Sequence, residues 1–246
     1  MTVTPSVLSC AASRSPSPWP NRCAVCRGAT SGRLGRVCTA CEARHGAWRA
    51  RCAACAQALP AAIDDALARC GRCLREPPPW SRAISALDYG HPWDTLLSAL
   101  KFRAGLDLLP WCVQRLRAAI AMADAPAVDR LLPVPLARAR LTERGYNQAW
   151  ELARRLAREL GLPAQAQLLQ RVIDTPHQLS LPRERRAANV RGAFLVPPAA
   201  RAVLAGERIA LVDDVMTTGA TLAEAARTLH AAGAAEVQVW VLARTP

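Results

Sequence analysis

The sequence predicts an α/β fold, a parallel sheet flanked by helices, with a cysteine-rich module ahead of it. Three observations carry that reading. Arg208-Ile209-Ala210-Leu211-Val212 is an apolar run of β-forming residues behind Gly206, as expected of a strand buried on both faces, and a helical pattern starts at Leu222. Strand-like and helix-like segments alternate between Ala83 and Leu242, the order that builds parallel sheets. Eight of the ten cysteines fall upstream of them as four Cys-x-x-Cys pairs.

With 246 residues the chain has room for one α/β domain and a small module. Residues 1–20, rich in Ser and Pro, read as a disordered tail, 21–76 as the cysteine module and 77–246 as the main domain. The pairs are Cys23/Cys26, Cys38/Cys41, Cys52/Cys55 and Cys70/Cys73. Two pairs complete a tetrahedral S4 site, which stabilises a segment too small for a core of its own. Zinc in a double zinc ribbon is the preferred reading, with an iron–sulfur cluster and a redox dithiol as alternatives. Pairing of first with second and third with fourth is preferred, across loops of 11 and 14 residues, and interleaved pairing stays open. His45 reads as a solvated side chain rather than a ligand. Cys112 reads as a buried structural thiol, and Cys10 stands outside the pattern. Residues 1–22 lack the apolar centre of a signal peptide and no 18-residue apolar run occurs, so reduced thiols, a cytoplasmic location and no membrane span are expected.

Glu76-Pro77-Pro78-Pro79-Trp80 is a stiff linker. Beyond it, Ala83 to Tyr89 reads as a strand, Trp93 to Phe102 as a helix with Leu96, Leu97 and Leu100 inward, and Leu106 to Met122 as a second helix. Lys101, the one lysine, serves either as a helix C-terminal cation or as a phosphate contact. Asp129 to Pro135 is a short strand that runs into a basic loop, Arg138-Ala139-Arg140 and Glu143-Arg144-Gly145-Tyr146-Asn147-Gln148. Ala149 to Leu160 is a helix with Leu152, Leu156 and Leu160 on one face, stopped by Gly161. A helix from Thr221 to Ala232, Gly233 and a strand from Val237 to Leu242 complete a βαβ unit.

The chemistry concentrates in Asp213-Asp214-Val215-Met216-Thr217-Thr218-Gly219-Ala220-Thr221. Paired carboxylates end the strand and accept from sugar hydroxyls, while small hydroxyl residues and a glycine open the helix where its dipole favours an anion. No Gly-x-x-x-x-Gly-Lys-Ser/Thr occurs, which argues against a P-loop. A helix-capping Asp pair and an acidic metal site would also account for the pattern. The stretch resembles the phosphoribosyl-diphosphate (PRPP) motif of type I phosphoribosyltransferases. That resemblance implies that Asp213 and Asp214 hold the ribose hydroxyls and that Thr217, Thr218, Gly219, Ala220 and Thr221 wrap the 5′-phosphate.

Pro133-Val134-Pro135 and Arg144-Gly145-Tyr146-Asn147-Gln148 extend the likeness, and with the four cysteine pairs they resemble the competence protein F (ComF) family. In that family amino-terminal zinc ribbons precede a phosphoribosyltransferase domain. By the same resemblance Arg138, Arg140 and Arg144 form a pyrophosphate loop, and Arg171 to Phe194 takes the position of a closing loop. Arg186 and Arg191 there read as diphosphate clamps, a solvated basic loop being the alternative, and His177 reads as polar surface. Leu179-Ser180-Leu181-Pro182 departs from the small Gly-containing turn of the family.

The resemblance implies two readings. One is a pentosyl-transferring enzyme that moves the phosphoribosyl group of PRPP, with Mg²⁺, to an unidentified acceptor and releases diphosphate. The other is a non-catalytic, nucleotide-sensing protein that binds single-stranded DNA. Both fit a part in DNA uptake, natural transformation or the use of external DNA, alongside DNA-uptake machinery, and diphosphate release discriminates between them.

The net charge of +13 is almost wholly arginine, and residues 1–80 carry eleven arginines against four acidic residues. Only Trp19, Trp48 and Trp80 offer stacking surfaces in that stretch. The expected outcome is weak, sequence-independent binding of single-stranded DNA that falls steeply with salt and falls further on removal of residues 1–80. Fluorescence anisotropy at several salt concentrations checks it; a salt-independent affinity would show the arginines to be ordinary solvated surface.

Overall fold

The computed structural model describes residues 21–30, 36–60, 67–101, 103–173 and 190–246. The expected tail 1–20 with Cys10, and His177, Leu179 to Pro182 and Arg186, lie outside the described residues. Four parallel strands form the central sheet: β3 (Arg82–Asp88), β4 (Arg130–Pro133), β7 (Arg208–Met216) and β8 (Glu236–Arg244), in the spatial order β3-β8-β7-β4. The two central strands, β7 and β8, are the most continuously apolar segments because helices cover both their faces.

Period-two alternation sorts the strand residues between two cores. Ala210 and Val212 of β7 and Trp240 and Leu242 of β8 face one side. There they meet α3 (Trp93–Ala99), α4 (Leu109–Met122) and α6 (Gln148–Leu160). Ile209 and Leu211, with Val237, Val239 and Val241, face the other side. That side is covered by α7 (Pro198–Leu204), α8 (Ala220–Ala231) and the hairpin of β5 (Gln170–Arg171) and β6 (Phe194–Leu195). Asn147 caps α6 by accepting from the Ala149 and Trp150 N–H groups, and Gly161 ends that helix in the left-handed conformation its sequence foretells.

Three segments differ from the sequence reading. The stretch expected as a basic loop forms a short helix, α5 (Arg138–Arg144), closed by Gly145 at φ 76°, so its arginines sit on a rigid turn. The helix expected from Leu106 begins as a 3₁₀ turn, Arg103–Leu108, because Pro110 suits only the first turn of α4. Gly105 lies within that turn, where a Cβ would stand 2.4 Å from the Ala99 carbonyl oxygen. Finally, β7 runs on to Met216, so Asp213 and Asp214 lie inside the strand, Asp213 opposite Val241 of β8.

The cysteine segment repeats one design twice. A short hairpin, β1 (Asn21–Arg22) with β2 (Ala29–Thr30), carries Cys23 and Cys26, and α1 (Thr39–His45) starts beside Cys38 and carries Cys41. An Arg51 to Ala58 bridge then carries Cys52 and Cys55, and α2 (Gly71–Arg75) starts beside Cys70 and carries Cys73. In each half the residue after the second cysteine has positive φ, Arg27 at 64° and Ala56 at 56°, which turns the chain back so that its N–H bonds the first cysteine's carbonyl.

Both halves pack into the main domain. Val37, Cys23 and Cys41 join the core on the α4 side, while Ala56 and Trp80 join the core on the α8 side. The Ala83 N–H on the open edge of β3 donates to the Ala53 carbonyl at 2.8 Å. Removing residues 1–80 therefore strips part of both cores, and charge-neutralising substitutions are the cleaner probe of DNA binding.

Arg115 of α4 is the main clasp for the first half. It is buried, donates to Glu42 Oε1 at 3.2 Å and to the Gly46 carbonyl, and lies 3.5 Å over the Trp48 ring. Trp111 Nε1 donates to the same Glu42, and Trp93 Nε1 donates to the His45 carbonyl at 2.9 Å. Replacing Arg115 by Ala leaves Glu42 and a buried carbonyl short of a donor, and should cost about 2–4 kcal/mol, read from the midpoint of urea unfolding of the full-length chain.

Candidate functional site

The C-terminal end of a parallel strand meets the N-terminus of the next helix, and here β7 delivers the acidic pair to that junction. Asp213 and Asp214 line a cleft of about 280 Å³ together with Thr217, Thr218, Gly219, Ala220 and Thr221. Gly219, at φ 80°, holds the turn into α8, and the Thr218 hydroxyl accepts from the Ala220 N–H at 3.3 Å. Asp213 Oδ1 accepts from the Asp214 N–H, and Asp214 Oδ1 accepts from the Val215 N–H, each at 2.9 Å. Asp214 is buried, and among the described residues its Oδ2 has no hydrogen-bond partner. Exclusion of water around Asp213 and the Asp214 charge beside it push the Asp213 carboxyl well above the usual carboxylate range.

Cations face this acidic pair. Lys101 Nζ lies 4.0 Å from Asp214 Oδ2, and Arg140 and Arg144 of α5 line the same cleft. Arg138 and Arg191 are exposed and are not among the residues that line it. Among the polar lining residues, the sequence reading did not mark Tyr89, just past the end of β3, Gln148 at the start of α6, or Arg171 of β5 as site residues. Tyr89 could have been found from its position at a strand's C-terminal end; Gln148 and Arg171 lie in stretches that the sequence singles out, the Arg-Gly-Tyr-Asn-Gln motif and the start of the closing-loop segment, without being marked there as site residues. The Arg-Gly-Tyr-Asn-Gln stretch acts as a brace for the cleft. Arg144 donates to Gln148 at 3.3 Å, Tyr146 donates to the Leu100 carbonyl next to Lys101 at 2.6 Å, and Asn147 donates to the Val134 carbonyl at 3.0 Å.

The arrangement suits a sugar phosphate that carries a second anionic group. Backbone N–H groups and hydroxyls at the start of α8 offer donors to one phosphate, and the carboxylates offer acceptors to a diol. Arg140, Arg144 and Lys101 place positive charge in the same cleft as the acidic pair. The carboxylate oxygens of the Asp pair, among them Asp214 Oδ2 with no hydrogen bond from the described residues, also fit an oxygen-ligated cation such as Mg²⁺.

The eight cysteines form two S4 clusters with sequential pairing, Cys23, Cys26, Cys38 and Cys41 in one and Cys52, Cys55, Cys70 and Cys73 in the other. Within each, all Sγ atoms lie within 4.8 Å of one another; Cys26 and Cys38 are 3.8 Å apart, and Cys55 and Cys70 are 3.7 Å apart. A tetrahedron with Zn–S bonds of about 2.3 Å has edges of about 3.8 Å, so the clusters fit a zinc-sized ion. His45 is outside the clusters and lies edge-on to Trp93 and His91. Although burial opposes it, N–H donors from Cys26, Cys38 and Val25 bring Cys23 down to about 6. Burial and the neighbouring thiols push Cys41 up to about 12. Cys112 is fully buried in α4, pushed up to about 12 by burial, as expected of an inert structural thiol.

Comparison with known proteins agrees with this architecture. Residues 147–246 match the family described as "Phosphoribosyl transferase domain". The chain is 37% identical to the DNA utilization protein YhgH of Salmonella typhi, over 92% of this chain and 98% of the relative. It is 32% identical to competence protein F of Haemophilus influenzae, over 91% of this chain and 96% of the relative. Among solved structures it is similar to glutamine PRPP amidotransferase from B. subtilis, at 20% identity over 59% of this chain and 30% of that one, with a TM-score of 0.39. No helix among the described residues is long and apolar enough to cross a membrane.

The two clusters generate a count. Full-length protein dialysed against trace zinc should carry two ions per chain by elemental analysis, and Cys41→Ser and Cys73→Ser should each remove one; retention of both ions in either variant would break the two-cluster assignment.

Proposed function

This chain belongs to the competence protein F family, and from that premise we propose that it binds PRPP and transfers its phosphoribosyl group, with release of diphosphate. The observation that carries the reading is the single cleft shared by an acidic pair, a helix N-terminus with its Thr and Gly residues, and the opposing Lys101, Arg140 and Arg144. Asp213 and Asp214 would accept from the ribose hydroxyls, and residues 217–221 would hold the 5′-phosphate. Arg140 and Arg144 would stabilise the charge that grows on diphosphate as the bond to ribose C1 breaks, and Arg138, Arg186 and Arg191 are proposed to approach the same group from the flanking segments. Mg²⁺ would neutralise diphosphate and orient it against the ribose hydroxyls. The reading also divides the chain at residues 76 and 77, with zinc held by the upstream part.

The names of its relatives, a DNA utilization protein and a competence protein, support a part for this chain in the handling of external DNA. The acceptor is to be found by supplying PRPP and Mg²⁺ with a panel of nucleobases and related acceptors and following diphosphate release. Turnover with one acceptor class supports the enzyme; PRPP binding without turnover with any acceptor favours a nucleotide-sensing role.

Asp213→Asn and Asp214→Asn preserve side-chain volume and remove the charge that the diol and Mg²⁺ require. Each should weaken PRPP binding in Mg²⁺ by tenfold or more in calorimetry, on the order of 1.4 kcal/mol, while leaving the thermal midpoint within a few degrees. Unchanged affinity in both folded variants would remove the pocket assignment.

A further inference from the structure

The loop that bounds the cleft has a second face, and that face belongs to the downstream cysteine cluster. A groove of about 910 Å³ lies there, lined by Cys55, Cys70 and Cys73 on one wall, Pro77 to Trp80 on another, and Met216, Thr218, Gly219 and Ala220 on a third. Two buried side chains cross between the cluster and the loop. Trp80 donates its Nε1–H to the carbonyl of Ala54, between Cys52 and Cys55, at 2.5 Å. The ring of Trp80 closes on Gly219, where a Cβ would stand 3.2 Å from its edge. Arg244, at the end of β8, donates through Nε to the Cys55 carbonyl at 3.0 Å and through a terminal nitrogen to the Met216 carbonyl at 3.2 Å. The Thr245 N–H adds a bond to that same Met216 carbonyl at 3.0 Å.

We infer that Trp80 and Arg244 are positioning residues of the anion site, which tie the 216–219 loop to the turn of the second cluster so that metal there raises the affinity for a phosphate. The inference rests on the reading of residues 217–221 as the phosphate site. The carbonyls of Ala54 and Cys55 are fixed only while the turn holds its shape, and that turn carries two of the four thiols and the positive-φ residue Ala56. Metal loss frees the turn, and with it the indole that backs Gly219 and the guanidinium that fixes Met216. The first cluster has no comparable link among the described residues: its contacts run to α4, Trp93 and Asp107, on the opposite face of the sheet.

Reciprocity of linked equilibria supplies a test that does not read activity: if metal favours phosphate binding, phosphate favours metal binding by the same factor. Zinc affinity of the full-length chain is measured by competition with a chromogenic chelator, with and without saturating ribose 5-phosphate, whose own binding is measured by calorimetry. The expected result is two metal-binding steps, one strengthened by about fivefold or more and the other unchanged. Trp80→Phe keeps the ring against Gly219 but loses the bond to Ala54, and Arg244→Lys loses the two-carbonyl bridge. In each, both ions and ribose 5-phosphate should still bind while the coupling factor falls towards one. Ribose 5-phosphate that binds but leaves both metal steps unchanged, or shifts both alike, overturns the coupling alone. Coupling that persists in full in both variants overturns the assignment to these two residues. Absence of any ribose 5-phosphate binding overturns the phosphate-site reading and the coupling with it.

Discussion

The pairing of β7 with β8 is the interaction on which the remaining structure depends. It runs in register from Arg208 opposite Glu236 to Met216 opposite Arg244, and both strands bury residues on both faces. Because side-chain period is two, a slip of one residue would send Ile209 and Leu211 to the wrong core and turn the Asp pair away from its partners. The same register brings the turn into α8 and the end of β8 to one edge of the sheet. The turn into α8 and Arg244 are therefore neighbours by consequence of strand pairing, and the cysteine segment docks where both can be reached.

Much of this was written locally in the chain. Parallel strands buried on both faces are continuous apolar runs, so β7 and β8 announce themselves, as do the Asp-Asp and Thr-Thr-Gly turn and the cysteine pairs. The equal spacing of 29 residues from Cys23 to Cys52 and from Cys26 to Cys55 also encodes the repeated design, once the two turns are seen to share a shape. What was not legible depends on contacts distant in sequence. Lys101 gains meaning only because Tyr146 fixes the Leu100 carbonyl beside it, and Arg171 enters the cleft through a hairpin whose other strand lies at Phe194 and Leu195. The helix α5 was missed because Arg-rich composition signals solvent exposure and says little about backbone shape, which Gly145 decides.

The charge balance looks different once the arginines have addresses. Arg208 pairs with Asp129, whose carboxyl the Arg208 guanidinium holds down at about 2, and Arg130 pairs with Glu207 through two oxygens at 2.6 and 2.7 Å. Arg115, Arg51 and Arg244 are committed to the joints between the cysteine segment and the sheet. Planar guanidinium groups suit such joints, since one side chain can satisfy two carbonyls or both oxygens of a carboxylate. Such pairs already cancel within the formal charge of +13, so what a polyanion would meet is the excess carried by the remaining arginines.

The bond between Ala83 and Ala53 has a bearing on how the protein survives in a metal-poor setting. β3 is the edge strand on that side of the sheet, paired only with β8 among the described residues, and the segment around Ala53 is its cover. Edge strands with free N–H and C=O groups recruit other chains, and proteins blunt them with charge, bulges or a covering segment. Here the cover is the turn that carries Cys52 and Cys55. Starvation for metal, or oxidation of the thiols, would uncover a ready template for intermolecular β-pairing next to buried Ile84 and Ala86. Were metal to bind that cluster, its loss would thus bear on the exposure of this edge and so on the protein's solubility.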